Sequence, residues 1–527
     1  MKRAISAFIT IISCIKSVAQ IPTNGLDVQH YQFTIQLNDS NNLIKGTAVI
    51  TTKFTKAVDK VVFDLVQKKK DGKGMTVTTV TKKDQEISFT QDAQHIIINE
   101  SANTTDQNIY TITYEGIPAD GLIIGVNKYN HRTFFSDNWP NRARNWLPCN
   151  DHPSDKASVE FIVTAPDHYQ IISNGIQTEE SNLPGHLKLT HYKEDMLLPT
   201  KVMVIGAADF AVNYAGSVDC IPVYSWVYPE DKDTGFLAYA AAKNILPWFE
   251  KHIAPYPYKK LANVQSKTVF GGMENASAIF YFENSVTDKG LEGLLVHEIT
   301  HQWFGDNATE KDWSHLWLSE GFATYMTHLY HEEKYGEDSF NNRLKADREK
   351  VIAFSKTRNT PVSDTSASNN LMQLLNANSY QKGGWILHML RRKVGDSLFW
   401  QSIRAYYDIY KGSNANTNDL RKVFEDVSKQ DLKDFFQEWI YTSGQPELDI
   451  KWSYNKKKKE ITLIIEQQQK HFFTFSLDIT INKSVLKTID IKDKTTTISF
   501  TCDAEPNLIE LDPKVNLLFN AALHKGK

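Results

Sequence analysis

Two histidines separated by three residues constrain this chain more than any other feature. In His297-Glu298-Ile299-Thr300-His301 the imidazoles fall at i and i+4. That spacing stacks them on one face of an α-helix, one turn apart. Both ring nitrogens can then reach one tetrahedral metal at about 2.0–2.1 Å. Glu298 points away from that shared geometry and is placed to take a proton from water activated there. The run Gly293-Leu294-Leu295-Val296 ahead of the motif is mostly apolar, so this helix should be buried, where unpaired histidines are costly. A second helical segment, Leu316 to Glu333, carries Glu320 in Trp317-Leu318-Ser319-Glu320-Gly321. A carboxylate there supplies a third ligand and leaves a fourth position to water, the open geometry of a catalytic zinc; cysteines more often close a structural site. One zinc per chain is expected, although cobalt or manganese suits the same ligands. The competing reading is a polar helix pair with no metal.

Further marks give these residues a context. Eighteen residues separate His301 from Glu320, Gly271-Gly272-Met273-Glu274-Asn275 lies upstream, and Ser379-Tyr380-Gln381-Lys382-Gly383 lies downstream. In order and separation these marks resemble the gluzincin aminopeptidases of the alanyl-aminopeptidase and leukotriene-hydrolase type, over roughly residues 25 to 445. The resemblance implies a zinc metallopeptidase that acts on peptides with a free N-terminus. It implies zinc held by His297, His301 and Glu320, with Glu298 as general base, passing the proton on to the leaving amine. Tyr380 would donate a hydrogen bond to the oxyanion of the tetrahedral intermediate. Glu274 would receive the substrate ammonium by charge-assisted hydrogen bonding. Gly271, Gly272 and Met273 would line the substrate, the glycines letting its backbone approach a strand edge. The residues alone do not single out Tyr380 from 22 tyrosines. Seen alone, Glu274 reads as a surface carboxylate and Gly271-Gly272 as a plain turn.

The chain departs from that family's pattern before Leu147-Pro148-Cys149. Asp137 and Trp139 occupy positions where the family often carries Gln and an acidic residue. A tryptophan makes that wall of the first pocket bulkier and more apolar, so side-chain preference does not transfer from relatives. Asp137 either adds a second carboxylate for the amine or caps a turn, with the turn favoured. Many relatives also continue into a large helical domain that closes over the site, for which this chain ends too soon.

The fold class expected is multidomain α+β. Residues 20–210 read as an N-terminal all-β domain, with runs such as His30 to Ile35, Val61 to Val66 and Ile109 to Tyr114, rich in β-branched and aromatic residues. Asp39-Ser40-Asn41-Asn42 and Asp71-Gly72-Lys73-Gly74 punctuate them. From about 211 to 445 the pattern turns helical, and the resemblance implies a thermolysin-like catalytic domain there. Thr234 to Ile253 reads as helical, with a kink or break expected at Pro247. The Gly-Met-Glu-Asn stretch, flanked by strand-like segments, should lie on or beside a strand edge facing the metal. Residues 446–527 return to strands and read as a small β-sandwich.

Charge and composition exclude other classes. A net charge of −3 gives no field for nucleic acid or acidic lipid. Lys68 to Lys70 and Lys456 to Lys459 read as solvated turns. Lys2 and Arg3, the apolar stretch Ala4 to Ile15 and the small residues Ser17-Val18-Ala19 form an export signal over 1–19. That stretch is shorter than the roughly 20 residues a membrane span needs, so no span is expected and a periplasmic or extracellular location is. Ser13-Cys14 offers lipoprotein anchoring as the alternative, which Ile11-Ile12 fits poorly. Cys149, Cys220 and Cys502 each read as small buried hydrophobes. Three other functions compete with an aminopeptidase. An epoxide hydrolase needs a lipid tunnel, and a zinc-dependent peptide-binding protein without turnover has no need of Glu298. An endopeptidase would meet Glu274 where more peptide must pass.

Overall fold

A computed structural model describes residues 25–483 and 485–526; the export segment expected over 1–19 lies outside the described residues. The N-terminal part is all β. Its largest sheet has eight strands, in which Leu26–Gln36 pairs parallel with Lys156–Pro166 and antiparallel with Ile44–Phe54. Strict alternation produces this sheet: in Ile44–Phe54 every second side chain is buried, so one face packs on the core and the other meets solvent. A four-stranded and a three-stranded sheet complete this part.

Residues from 211 do not turn helical at once, as the sequence suggested. Ala211–Val218 and Ile221–Val227 are strands that start a five-stranded sheet running on through Leu261–Ser266, Ala278–Phe282 and Gly272–Met273. Gly272–Met273 forms the edge of this sheet, antiparallel to Ala278–Phe282. The helical stretch expected over 234–253 is two helices, α1 (Lys232–Ala240) and α2 (Ala242–His252), and the break falls at Ala241 rather than at Pro247. Pro247 is exposed. Ile245, Leu246, Trp248 and Phe249 around it are buried and hold α2 together across it.

Four further helices frame the centre: α3 (Leu291–His301), α4 (Trp317–Tyr335), α5 (Glu337–Ser355) and α6 (Gly383–Val394). α4 is buried along most of its length, so its neighbours must pack on every side. It meets α6 at two glycines: a Cβ built on Gly321 would lie 2.9 Å from the Gly383 Cα. Only residues without a Cβ permit that backbone approach. The C-terminal part pairs a four-stranded with a three-stranded sheet, and Lys456 to Lys459 lie between its strands Glu447–Asn455 and Glu460–Gln467. Of the three cysteines among the described residues only Cys149 is buried; Cys220 is exposed between two strands and Cys502 is half-buried. The expectation of three buried thiols therefore fails at two, because each of those two sits at or just beyond a strand end. Among the described residues no helix is long and apolar enough to cross a membrane.

Charged struts join the N-terminal β part to the segment after α3. Lys201 makes a fully buried ion pair with Glu310 at 2.5 Å. The Lys156 ammonium donates to the carbonyls of Asp306 at 3.0 Å and Asn307 at 2.6 Å. Breaking a buried pair leaves an uncompensated charge. Lys201→Met should therefore cost about 3–5 kcal/mol in chemical denaturation, and adding Glu310→Leu should recover most of that loss.

Candidate metal centre and its cavity

Helix α3 presents His297 and His301 on one face, and the first turn of α4 presents Glu320 to them. Glu320 Oε2 lies 3.4 Å from Nε2 of each imidazole. Donors on a tetrahedral ion with bonds of about 2.0–2.1 Å stand about 3.3–3.4 Å apart, so Glu320 stands from each imidazole at the separation such an ion requires, and all three donor atoms lie within 4.8 Å of one another. A second group, Glu274, Glu298 and His301, also brings its donor atoms within 4.8 Å of one another. Three buried carboxylates thus surround two imidazoles. Carboxylates shielded from water in this way are stabilised by a bound cation. The donor set, two nitrogens and one carboxylate oxygen, is that of a catalytic zinc site.

Neighbouring groups fix the ligands. Nδ1 of His301 lies 3.2 Å from the Phe304 carbonyl and 3.0 Å from Ser319 Oγ; donating there leaves Nε2 as the free donor to a metal. Burial opposes ionisation of Glu320, yet the two imidazoles hold its carboxyl well below the usual range. Burial pushes the Glu298 carboxyl well above that range; His301 opposes the shift, while Glu274 and Glu320 add to it. A Cβ on Gly272 would come 2.3 Å from Glu298 Oε1, so glycine at the strand edge is what lets the Glu298 carboxylate lie against the backbone. Tyr380 stacks on His297 with ring centroids 6.0 Å apart. Burial raises its hydroxyl well above its ordinary value, and Glu320, Glu274 and Glu298 raise it further, so it stays a hydrogen-bond donor. It sits in a π-type turn, Asn378–Lys382, carried to α4 by the contact of Gly321 and Gly383.

A cavity of about 430 Å³ opens on this cluster. All nine residues singled out from the sequence border it: Gly271, Gly272, Met273, Glu274, His297, Glu298, His301, Glu320 and Tyr380. Trp139 borders it too, packed edge-on against Phe270 and Trp313. Asp137 adds no carboxylate to the cavity and instead holds a bend of the chain at Thr268 and Val269. It is fully buried, outside the cavity wall, and ion-paired with Arg142. It also accepts hydrogen bonds at 3.2 Å from the Thr268 hydroxyl and the Val269 N–H, which anchors the loop that carries Phe270. Phe270, Leu294 and Leu375 line the cavity without having been singled out, and nothing in their local sequence marks them. Ser319 and Gln302 were also missed; each is adjacent to a ligand, which is the only signal they gave.

Comparison with known proteins shows the family. Residues 27–202 match the Peptidase M1 N-terminal domain and residues 237–439 match the Peptidase family M1 domain. "Probable aminopeptidase 2" of Sulfurisphaera tokodaii is 27% identical over 441 residues, 80% of this chain and 54% of that protein. The leucyl aminopeptidase of Saccharolobus solfataricus is 24% identical over 81% of this chain and 56% of its own length. Aminopeptidase M1-C of Oryza sativa subsp. japonica is 29% identical over 59% of this chain and 37% of its length. The chain thus spans about half the length, or less, of the curated relatives it matches. A crystal structure of an M1 zinc metallopeptidase from Deinococcus radiodurans, bound to a Tyr-Ser-Ala substrate, superposes with a TM-score of 0.68 at 22% identity, covering 81% of this chain and 96% of that one.

If the three donors hold one ion, chelator-treated protein dialysed against zinc should regain one ion per chain by elemental analysis. His301→Ala should regain none, and Ser319→Ala should bind about tenfold more weakly.

Proposed function

The chain belongs to peptidase family M1, and on that premise we propose that it is a zinc-dependent aminopeptidase, removing the first residue of peptides that have a free N-terminus. One observation carries this reading. The Glu274 carboxylate is buried at the end of the strand edge, its Oε1 has no hydrogen-bond partner, and its donor atom lies within 4.8 Å of those of Glu298 and His301. A buried anion left unpaired beside the reacting centre is suited to a substrate ammonium. It also blocks the path an internal peptide segment would need.

Zinc bound by His297, His301 and Glu320 would supply a Lewis acid that makes water nucleophilic near neutral pH and polarises the scissile carbonyl. The remaining work belongs to side chains. Glu298 accepts the proton of the attacking water and delivers it to the leaving nitrogen. Tyr380 donates its hydroxyl hydrogen to the oxyanion as charge develops there. Glu274 holds the ammonium, which fixes which peptide bond reaches Glu298. Gly271 and Gly272 offer their strand edge to the substrate backbone. Trp139, Phe270, Met273, Leu294 and Leu375 give the cavity apolar walls, which favour an apolar first side chain over a charged one.

The test is hydrolysis of aminoacyl amides beside their N-acetylated forms. Free-amine substrates alone should be cleaved, apolar ones fastest. Glu298→Gln should lower kcat by about 100- to 10,000-fold with its metal retained. Cleavage of blocked peptides would instead identify an endopeptidase, and bound zinc without turnover a binding protein. Residues 1–19 support export, with the mature chain starting near Gln20. N-terminal sequencing of protein recovered outside the cytoplasm should begin there, and an intact Met1 would refute it.

A further inference from the structure

Gln302 follows the second histidine ligand directly and is fully buried. Its side-chain amide uses all four hydrogen-bonding positions. Nε2 donates to the Glu274 carbonyl at 2.8 Å and to Asp306 Oδ2 at 3.0 Å. Oε1 accepts from the Ser277 N–H at 2.8 Å and from the Tyr256 hydroxyl at 3.1 Å. A backbone N–H can only donate and a carbonyl can only accept, so these partners fix which way the amide points.

Two features show what this amide restrains. The Glu274 side chain has no protein partner on Oε1, so the place of its carboxylate depends on the backbone that carries it. That backbone leads into Ser277, whose φ of 63° is the left-handed region that a side chain disfavours. A turn of this kind persists only when its surroundings hold it, and Gln302 grips it at both ends, at Glu274 and at Ser277. The other side of the amide rests on Asp306. The carbonyl of Asp306 is gripped by Lys156, and Lys201 holds Glu310 four residues on. The chain of contacts runs from the N-terminal β part, through the loop after α3, to the residue proposed to take the ammonium.

We infer that Gln302 is a positioning residue: it sets the separation between the Glu274 carboxylate and the metal ligands, and through it the register in which a free amine is measured off from the scissile bond. This rests on the aminopeptidase reading. It assigns to Gln302 no contact with substrate, and its role is exercised through Glu274.

The experiment uses the full chain loaded with zinc and two competitive ligands, an α-amino hydroxamate and the same hydroxamate without the amine. Wild-type protein should prefer the amine-bearing ligand. Gln302→Met should shrink that preference about 10- to 100-fold, while binding of the amine-free ligand and the zinc content stay within about twofold. Gln302→Glu keeps an acceptor for Ser277 but loses the donor to Glu274, and should behave as Gln302→Met does; it decides the matter if the methionine variant does not fold. In a Glu274→Gln background, either substitution should leave the ratio unchanged. A wild type with no preference for the amine overturns the aminopeptidase reading itself. A preference that survives both substitutions overturns the role of Gln302 alone, as does loss of zinc in both variants, which would make it a prop of the metal site.

Discussion

Burial of like charge in one small space is the constraint around which the molecule is arranged. Glu274, Glu298 and Glu320 are each about 95% shielded from solvent and lie beside only two imidazoles. Burial opposes ionisation of Glu298 and Glu320. A rigid backbone is needed to keep such a group together, and a bound cation would stabilise it. α3 and the first turn of α4 bring three candidate donors within 4.8 Å of one another. The walls beyond them are apolar, so the charges interact with each other more strongly than they would in water.

Rigidity comes from close contacts that few residue types permit. Gly321 against Gly383 lets α6 approach α4 and delivers Tyr380 beside His297. Gly272 lets the Glu298 carboxylate rest against a strand edge. Behind the site, Lys156 and Lys201 extend from the N-terminal part into the loop after α3, and Asp137 with Arg142 fixes the loop of Phe270 from the other side. The N-terminal β part therefore builds the site as well as neighbouring it: Trp139 supplies cavity wall and the two lysines brace the loop from which Gln302 is oriented.

Some of this was legible before any coordinates. The i, i+4 histidines needed only helical periodicity to be placed together, and the alternation of Ile44–Phe54 needed only the period of a strand. Residues 211–227 were misread because the helical stretch after them coloured the whole segment, although Ile221–Val227 has the composition of a strand. Pro247 suggested a kink or a break, and the helix runs on through it, since burial of Ile245, Leu246, Trp248 and Phe249 outweighs one missing hydrogen bond. The role of Asp137 is not local, because one of its partners, Thr268, lies 131 residues away.

By itself the sequence determined that His297 and His301 share a helix face and that both ends of the chain are rich in strands, because each follows from a short-range period. Tertiary structure alone decided which side chains wall the cavity, where Glu274 stands relative to the donors, and what Gln302 and Asp137 hold. Those outcomes depend on contacts between residues far apart in the chain, such as Lys201 with Glu310 and Gln302 with Glu274, and no local pattern encodes a distance of that kind.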